Sequence, residues 1–327
     1  MMVCLGAHFS AIWIVVANSW QQTPAGFEIA GEGLKARAVI TNFWEMVFNP
    51  SSMDRLSHVI MGAWQAGAFL VLSVSAYYLL KKKNQDFAKA SMKIALVVAV
   101  VASLGQLATG HKSAIGVAKN QPPKLAAFEG HYEEYAPGAL YLFGWVDEKE
   151  EKVKYGIKIP HLLSTLISGN PNLPIKGLRS FSKDEIPPVN FVFQVYHGMI
   201  AIGFFLIGLS LLGLIALYKN RLFKSPWLLK LFVIAVLGPQ IANQLGWFSA
   251  EVGRQPWIVY GLLRTSDALS KVVTANMVLS SLIMFTLLYL LLFVLFIFLL
   301  DQKIRKGPLE EDLLMNKGLM KRSRAEA

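Results

Sequence analysis

The stretch VVTANMVLSSLIMFTLLYLLLFVLFIFLL at residues 272–300 decides the fold class: it runs for 29 residues without a charged side chain. A helix rises about 1.5 Å per residue, so about 20 apolar residues cross the ~30 Å hydrocarbon core of a bilayer. Residues 2–17, 58–80, 91–110, 191–218 and 227–245 meet or approach that requirement. A plain soluble fold fails on composition. The chain is 54% hydrophobic and 16% charged, where a soluble domain carries about a quarter charged residues. The expectation is an all-α integral membrane protein. It is a polytopic helical bundle of about five full transmembrane helices plus a partial first one, because the run 2–17 has only 16 residues. No basic region precedes that run and no small-residue cleavage site follows it, so it does not read as a signal peptide. It reads as part of a helix that starts at or before the beginning of the chain. The single cysteine, Cys4, excludes a disulfide framework and any Cys-based zinc or iron–sulfur site.

Net charge is +11, and its placement beside apolar runs points to membrane topology rather than to nucleic acid. Lys81, Lys82, Lys83, Lys89 and Lys93 fill one short connection, and Lys219, Arg221, Lys224 and Lys230 another. The tail 301–327 carries Lys303, Arg305, Lys306, Lys317, Lys321, Arg322 and Arg324. Under strict alternation these three segments share a side. The opposite short connections hold fewer: Lys35, Arg37 and Arg55 in one, Arg254, Arg264 and Lys271 in the other. The positive-inside rule then places the tail in the cytoplasm and the long stretch 111–190 outside. The chain reads as a single membrane domain over 1–327, with 111–190 as its outer loop. Prolines at 122, 123, 137, 160, 171, 174, 187 and 188 argue against long helices there.

No Asp or Glu lies within the core of an apolar run, which weakens a proton-pump reading. His8, His58 and His197 are intramembrane; His111, His131 and His161 fall in the outer loop. Pro50, Ser51, Ser52, Met53, Asp54 reads as a helix start, with Ser51 as N-cap and Asp54 in a capping-box place. His58 then lies roughly 10 Å into its helix, and Met199 roughly 12 Å into the one at 191–218. Both helices enter from the outer side. The pair is either ordinary core packing or a His/Met axial set for a haem iron. Gly62 and Gly67, with Gly198, Gly203 and Gly208, allow close helix packing or leave room for a macrocycle. In GWFSAEVGRQPW at 246–257, Glu251 and Arg254 stand three residues apart beside two tryptophans. That spacing is a routine ion pair, or a carboxylate for a metal centre with an Arg for a propionate.

GRQPW at 253–257, preceded by Gly246, Trp247 and Glu251, resembles the signature of cytochrome bd quinol oxidase subunit I. FSAIWIVVANSWQQTP at 9–24, residues 48–80, QPPKLAAFE at 121–129 and residues 191–203 resemble further parts of that family, in its order. The resemblance implies His58 and Met199 as axial ligands of a low-spin haem b. It implies Glu251 as the ligand of a second haem b, Trp247 as its aromatic neighbour, and Arg254 close to the haems. It implies Lys124 and Glu129 in quinol oxidation. Two departures stand out. His197 replaces the family's usual Arg two places before Met199, so it competes for the iron. The family also has three more helices and part of a fourth before the position of residue 1. The expected role is a haem-binding subunit of a terminal oxidase in the prokaryotic cytoplasmic membrane. It would oxidise quinol at the outer face and pass electrons through haem b towards oxygen, with a further haem d or b in the full complex. Expected partners are subunit II, a separate polypeptide supplying the absent helices, quinol and membrane lipid. A truncated inactive fragment, or a haem-free transporter or scaffold subunit, is the alternative.

Overall fold

The computed structural model describes residues 2–32, 36–134, 136–270 and 272–308. In chain order its elements are α1 (Met2–Gln22), β1 (Phe27–Ala30), β2 (Arg37–Ile40), α2 (Phe43–Val47), α3 (Ser52–Leu80), α4 (Gln85–Asn120) and α5 (Pro122–Glu129). Then follow β3 (Ala136–Pro137), β4 (Leu140–Asp147), β5 (Lys152–Ile159), α6 (Leu162–Ser168) and β6 (Pro174–Ile175). The chain continues with α7 (Val189–Tyr218), α8 (Pro226–Ile234), α9 (Leu237–Val252), β7 (Trp257–Val259), β8 (Leu263–Arg264) and α10 (Ala275–Lys306). Six segments are long and apolar enough to cross a membrane: α1, α3, α4, α7, α8 with α9, and α10. The expected bundle is therefore present, and the first helix is also long and apolar enough to cross a membrane. α1 has 21 residues because the apolar run continues helically through the polar Asn18, Ser19, Gln21 and Gln22.

Hydrogen bonds at the two ends show how the helices alternate. The C-terminal ends of α1 and α9, the start of α3 and the junction of α4 with α5 gather at one end, called upper here. At the lower end, the Tyr78 hydroxyl of α3 donates to the Ile304 carbonyl of α10 at 2.6 Å. Lys81, Lys219, Lys303 and Arg305 all belong to that lower end, as strict alternation predicts. Lys35 and Lys271, and the tail residues Lys317, Lys321, Arg322 and Arg324, lie outside the described residues.

Proline sets several boundaries. Pro122 opens α5 at the point where α4 ends, and Pro226 opens α8. Pro239 lacks the N–H that would bond the Ala235 carbonyl, and its ring crowds that carbonyl. The span 226–252 accordingly divides into α8 and α9 at Ala235–Val236. The long upper connection is shorter than 111–190, since α4 holds His111 within its last turns and α7 begins at Val189. It carries small antiparallel ladders as well as short helices, with β4 paired to β5 from Leu140↔Ile159 to Asp147↔Lys152.

The lower core packs Phe69, Leu72, Met92, Leu96, Leu206 and Phe232 between α3, α4, α7 and α8. Ala68, Ala76, Ala95 and Ala99 are buried there, and such small side chains let the helices approach closely. The Gln65 amide donates to the Ser103 hydroxyl at 2.8 Å and the Ser73 hydroxyl to the Val233 carbonyl at 2.8 Å. Each such bond between membrane helices contributes about 0.6 kcal/mol. A second core under α5 holds Ala126, Phe128, Val146, Val192 and Phe193. α10 stands apart from both and buries none of its residues.

Candidate functional site

Four segments meet in a polar cluster at the upper end. α1 ends in a polar turn because an apolar helix leaving the hydrocarbon must satisfy its last carbonyls and side chains in a wetter layer. Asn18 donates to Glu251 Oε1 at 2.8 Å. Arg254 Nη2 donates to Glu251 Oε2 at 2.6 Å, and its Nη1 to Gln21 Oε1 at 3.1 Å. Arg55, in the first turn of α3, donates to Asn18 Oδ1. Glu251 thus holds one hydrogen bond on each oxygen and keeps a lone pair on each. Trp247, one turn earlier on α9, is partly exposed.

Lys124 joins this cluster from α5. It is 5% exposed and donates to Gln22 Oε1 at 3.1 Å and to the Ala250 carbonyl at 2.9 Å. Burial, and then the nearby Arg55 and Arg254 guanidinium groups, push its ammonium well below the usual lysine range. Gln22, Asp54, Arg55, Ser113, Gln121 and Lys124 line a cavity of about 50 Å³. That space has room for a few water molecules. Arg55, Arg254 and Lys124 gather round Glu251, while Asp54 at the cavity wall is paired with Lys112, so the cluster can take an additional anionic group.

Glu129 closes the same short helix, five residues on, and does not meet Lys124. It is 2% exposed, and its Oε2 has no hydrogen-bond partner among the described residues. Burial alone pushes its carboxyl up to about 8. Beside it the Phe128 and Tyr196 rings stack at 4.2 Å. Gly130 follows with φ +57, a conformation that favours glycine, and ends α5 directly after the acid.

His58 and Met199 come to one level, as their depths predict. Gly62 of α3 abuts Asn243 of α9: a methyl built on it would sit 2.9 Å from Asn243 Oδ1. One turn towards the upper end lie His58 on α3 and Gly246 on α9. A methyl on Gly246 would sit 3.0 Å from Met199 Sδ. His58 itself lies against Gly110 of α4, whose added methyl would be 3.3 Å from His58 Cε1. His58 Nδ1 is 3.0 Å from the Thr109 hydroxyl, which donates to the Gly105 carbonyl at 2.8 Å. A hydroxyl has one hydrogen, so Thr109 accepts from His58 Nδ1–H, and the lone pair remains on Nε2. Neutral imidazole held this way by its other nitrogen is the usual state of a metal-binding histidine. Among the described residues no three His, Cys, Asp or Glu side chains converge as a bare ion site. A nitrogen and a thioether from separate helices are instead the donor types that a haem iron would accept.

Several expectations change. His197 places Nδ1 3.0 Å from the Phe193 carbonyl and Nε2 2.8 Å from the Tyr141 carbonyl, and its ring stacks on Phe193. It points towards the loop, and neither nitrogen is free. Ser51 occupies the N-cap position of α3 without capping it, because its hydroxyl turns to Thr23 at 2.7 Å. Asp54 instead pairs with Lys112 at 2.8 Å. Of the glycines, Gly62 and Gly198 abut α9 side chains, whereas Gly67, Gly203 and Gly208 face open space. Arg55, Asn18, Gln21, Gln22 and Thr109 were not singled out in the sequence. A polar run closing an apolar helix, as in ANSWQQ at 17–22, is the signal that marks the first of these partners.

A multi-pass helical membrane protein with a polar, cation-rich upper end and a His/Met level beneath it is the class that fold and site define. The family described as cytochrome bd terminal oxidase subunit I matches residues 1–308. The chain belongs to that family. It is 37% identical over 316 residues to the cytochrome bd ubiquinol oxidase subunit 1 of Bacillus subtilis, covering 94% of this chain and 67% of that one. A putative cytochrome bd menaquinol oxidase subunit I from the same organism is 35% identical over 318 residues, covering 95% and 70%. The solved structure of bd oxidase from Geobacillus thermodenitrificans superposes with a TM-score of 0.85 at 30% identity, covering 94% of this chain and 69% of that one.

Proposed function

We propose that the chain is the haem-holding subunit of a quinol oxidase that passes electrons towards oxygen and works beside a subunit II. Its upper end faces the outside of a prokaryotic cytoplasmic membrane and its basic lower end the cytoplasm. The whole chain serves as one membrane domain, with the connection between α4 and α7 as the quinol-oxidising loop. The observation that carries this reading is Glu129: a buried carboxyl with an unpartnered oxygen among the described residues, pushed up to about 8 by burial, in a loop helix that also carries Lys124. A quinol releases two protons and two electrons when oxidised, and a buried carboxylate with a free oxygen can take one of those protons. Lys124, on the same short helix, links it to α1 through Gln22 and to α9 through Ala250.

His58 and Met199 would hold a low-spin haem b, with Thr109 fixing the His58 tautomer. Glu251 would hold a second haem b, with Trp247 beside it, and Arg55 and Arg254 would meet carboxylate groups of the macrocycles. Haem, when bound, supplies one-electron redox chemistry and an iron that oxygen can reach in the assembled enzyme. His197 takes no part as a ligand in this reading. Quinol kinetics of Glu129→Gln in membranes with unchanged haem spectra test the proposal. A steep fall in turnover is expected, and unchanged turnover overturns the quinol site.

A further inference from the structure

The hairpin β4–β5 is fastened to the first turns of α7, and that fixes its depth. Asn190 Oδ1 accepts from the Val146 amide at 3.1 Å, Gln194 Nε2 donates to the Gly144 carbonyl at 2.7 Å, and His197 Nε2 meets the Tyr141 carbonyl at 2.8 Å. These rungs descend α7 over seven residues, roughly 10 Å along its axis. α7 ends at Tyr218 beside Lys219. Counting about 20 residues back, the length that crosses the hydrocarbon, brings its upper edge to His197–Met199. The polar headgroup layer adds about 5–8 Å beyond that edge. Leu140 and Ile159, at the open end of the hairpin, therefore stand at the hydrocarbon edge. Phe143, paired with Ile157, stands among headgroups, and Asp147 stands above them.

Composition follows the same depth scale. The tip, from Asp147 to Lys154, carries Asp147, Glu148, Lys149, Glu150, Glu151, Lys152 and Lys154, which pair among themselves and with Arg179. Below the tip the one charged side chain in the two strands is Lys158, which is exposed and long enough to reach upwards. The side turned away from α7 exposes Leu142, Phe143, Trp145, Tyr155, Ile157 and Ile159, with Tyr155 88% exposed. Apolar side chains at the bottom, Trp and Tyr higher up and charges at the top reproduce the layering of a membrane interface. A water-facing hairpin would carry polar residues on this side.

We propose that the outward side of the β4–β5 hairpin beds in the upper lipid leaflet, so that the loop is anchored to phospholipid as well as to α7. Spin labels at Ile157→Cys and, on the other strand, Leu142→Cys test this in a Cys4→Ser background, with Lys149→Cys at the tip as reference. The full chain, with the subunits that co-purify, is placed in phosphatidylcholine–phosphatidylglycerol vesicles. The ratio of oxygen to water-soluble nickel chelate collisions is expected to be several-fold higher at 157 and 142 than at 149. A ratio at 157 and 142 equal to that at 149 places the hairpin in water and overturns the proposal. Immobilised labels shielded from both reagents show a covering protein and overturn it equally. Two strands are labelled so that misfolding of one variant leaves the other informative.

Discussion

The upper polar cluster and the His58/Met199 level lie about one turn apart along α3 and α9 and are built on opposite rules. In the cluster each charged side chain makes at least one hydrogen bond: Glu251 with Asn18 and Arg254, Arg55 with Asn18, and Lys124 with Gln22 and Ala250. At the His58/Met199 level only His58 Nδ1 is hydrogen-bonded among the described residues, and Gly203, one turn below Met199, has nothing packed against it. A buried charge without a partner costs several kcal/mol and must be met within the fold. A neutral imidazole and a thioether carry no such demand, so they can wait for a ligand from outside the chain.

The largest effect should come from the lower level. His58→Ala is expected to abolish the low-spin haem b signal in the reduced-minus-oxidised spectrum while the protein still assembles. A full signal would mean that the open level does not hold the haem. Next, Glu129→Gln should lower quinol turnover by roughly 100-fold, as removal of a general base does. Wild-type turnover should rise with pH up to about 8, where Glu129 ionises, and the variant should lack that rise. The stability sign runs the other way. Burial raises the Glu129 pKa, so its neutral form supports the fold at acid pH and that support is lost as pH rises through about 8. Glu129→Gln should accordingly melt no lower than wild type at pH 9, while its turnover stays low.

In the cluster, Glu251→Ala leaves Arg254, only 6% exposed, without its carboxylate. Loss of one partner of a buried pair costs about 3–5 kcal/mol, discounted here because Glu251 is itself about a third exposed. A drop in thermal stability of a few degrees is expected, and none would mean the cluster tolerates open charge. The smallest effect is Thr109→Val, which frees His58 Nδ1. Loss of such a support lowers metal affinity by about 10–100-fold. Haem titration should show a fall at the low end of that range, reversed in Thr109→Ser.

The spans were legible because crossing a bilayer is a demand on length and composition that each segment meets by itself. The shared level of His58 and Met199 was legible for a related reason: depth along a helix is counted in residues. Arg55, Asn18 and Gln22 were not, since their importance lies in which helix ends meet, and periodicity carries no record of that. The N-cap reading at Ser51 failed on the same ground, as Ser19 of α1 and Thr23 just past its end draw the hydroxyl away from the local amide. His197 looked like a rival ligand in one dimension and proved to face the loop carbonyl of Tyr141. The hairpin strands were hidden by a loop rich in proline, which argues correctly against long helices but says nothing about short ladders.

The solitude of α10 bears on cooperativity. No residue of this helix is buried, and among the described residues one hydrogen bond, from Tyr78 to Ile304, links it to α3 at its lower end. Segments that share few packed neighbours open independently of the rest. Amide exchange in a detergent micelle should therefore divide the molecule in two. The α3–α4–α7–α8 core would open as one unit, and α10 would exchange on its own schedule, set by its surroundings rather than by the bundle.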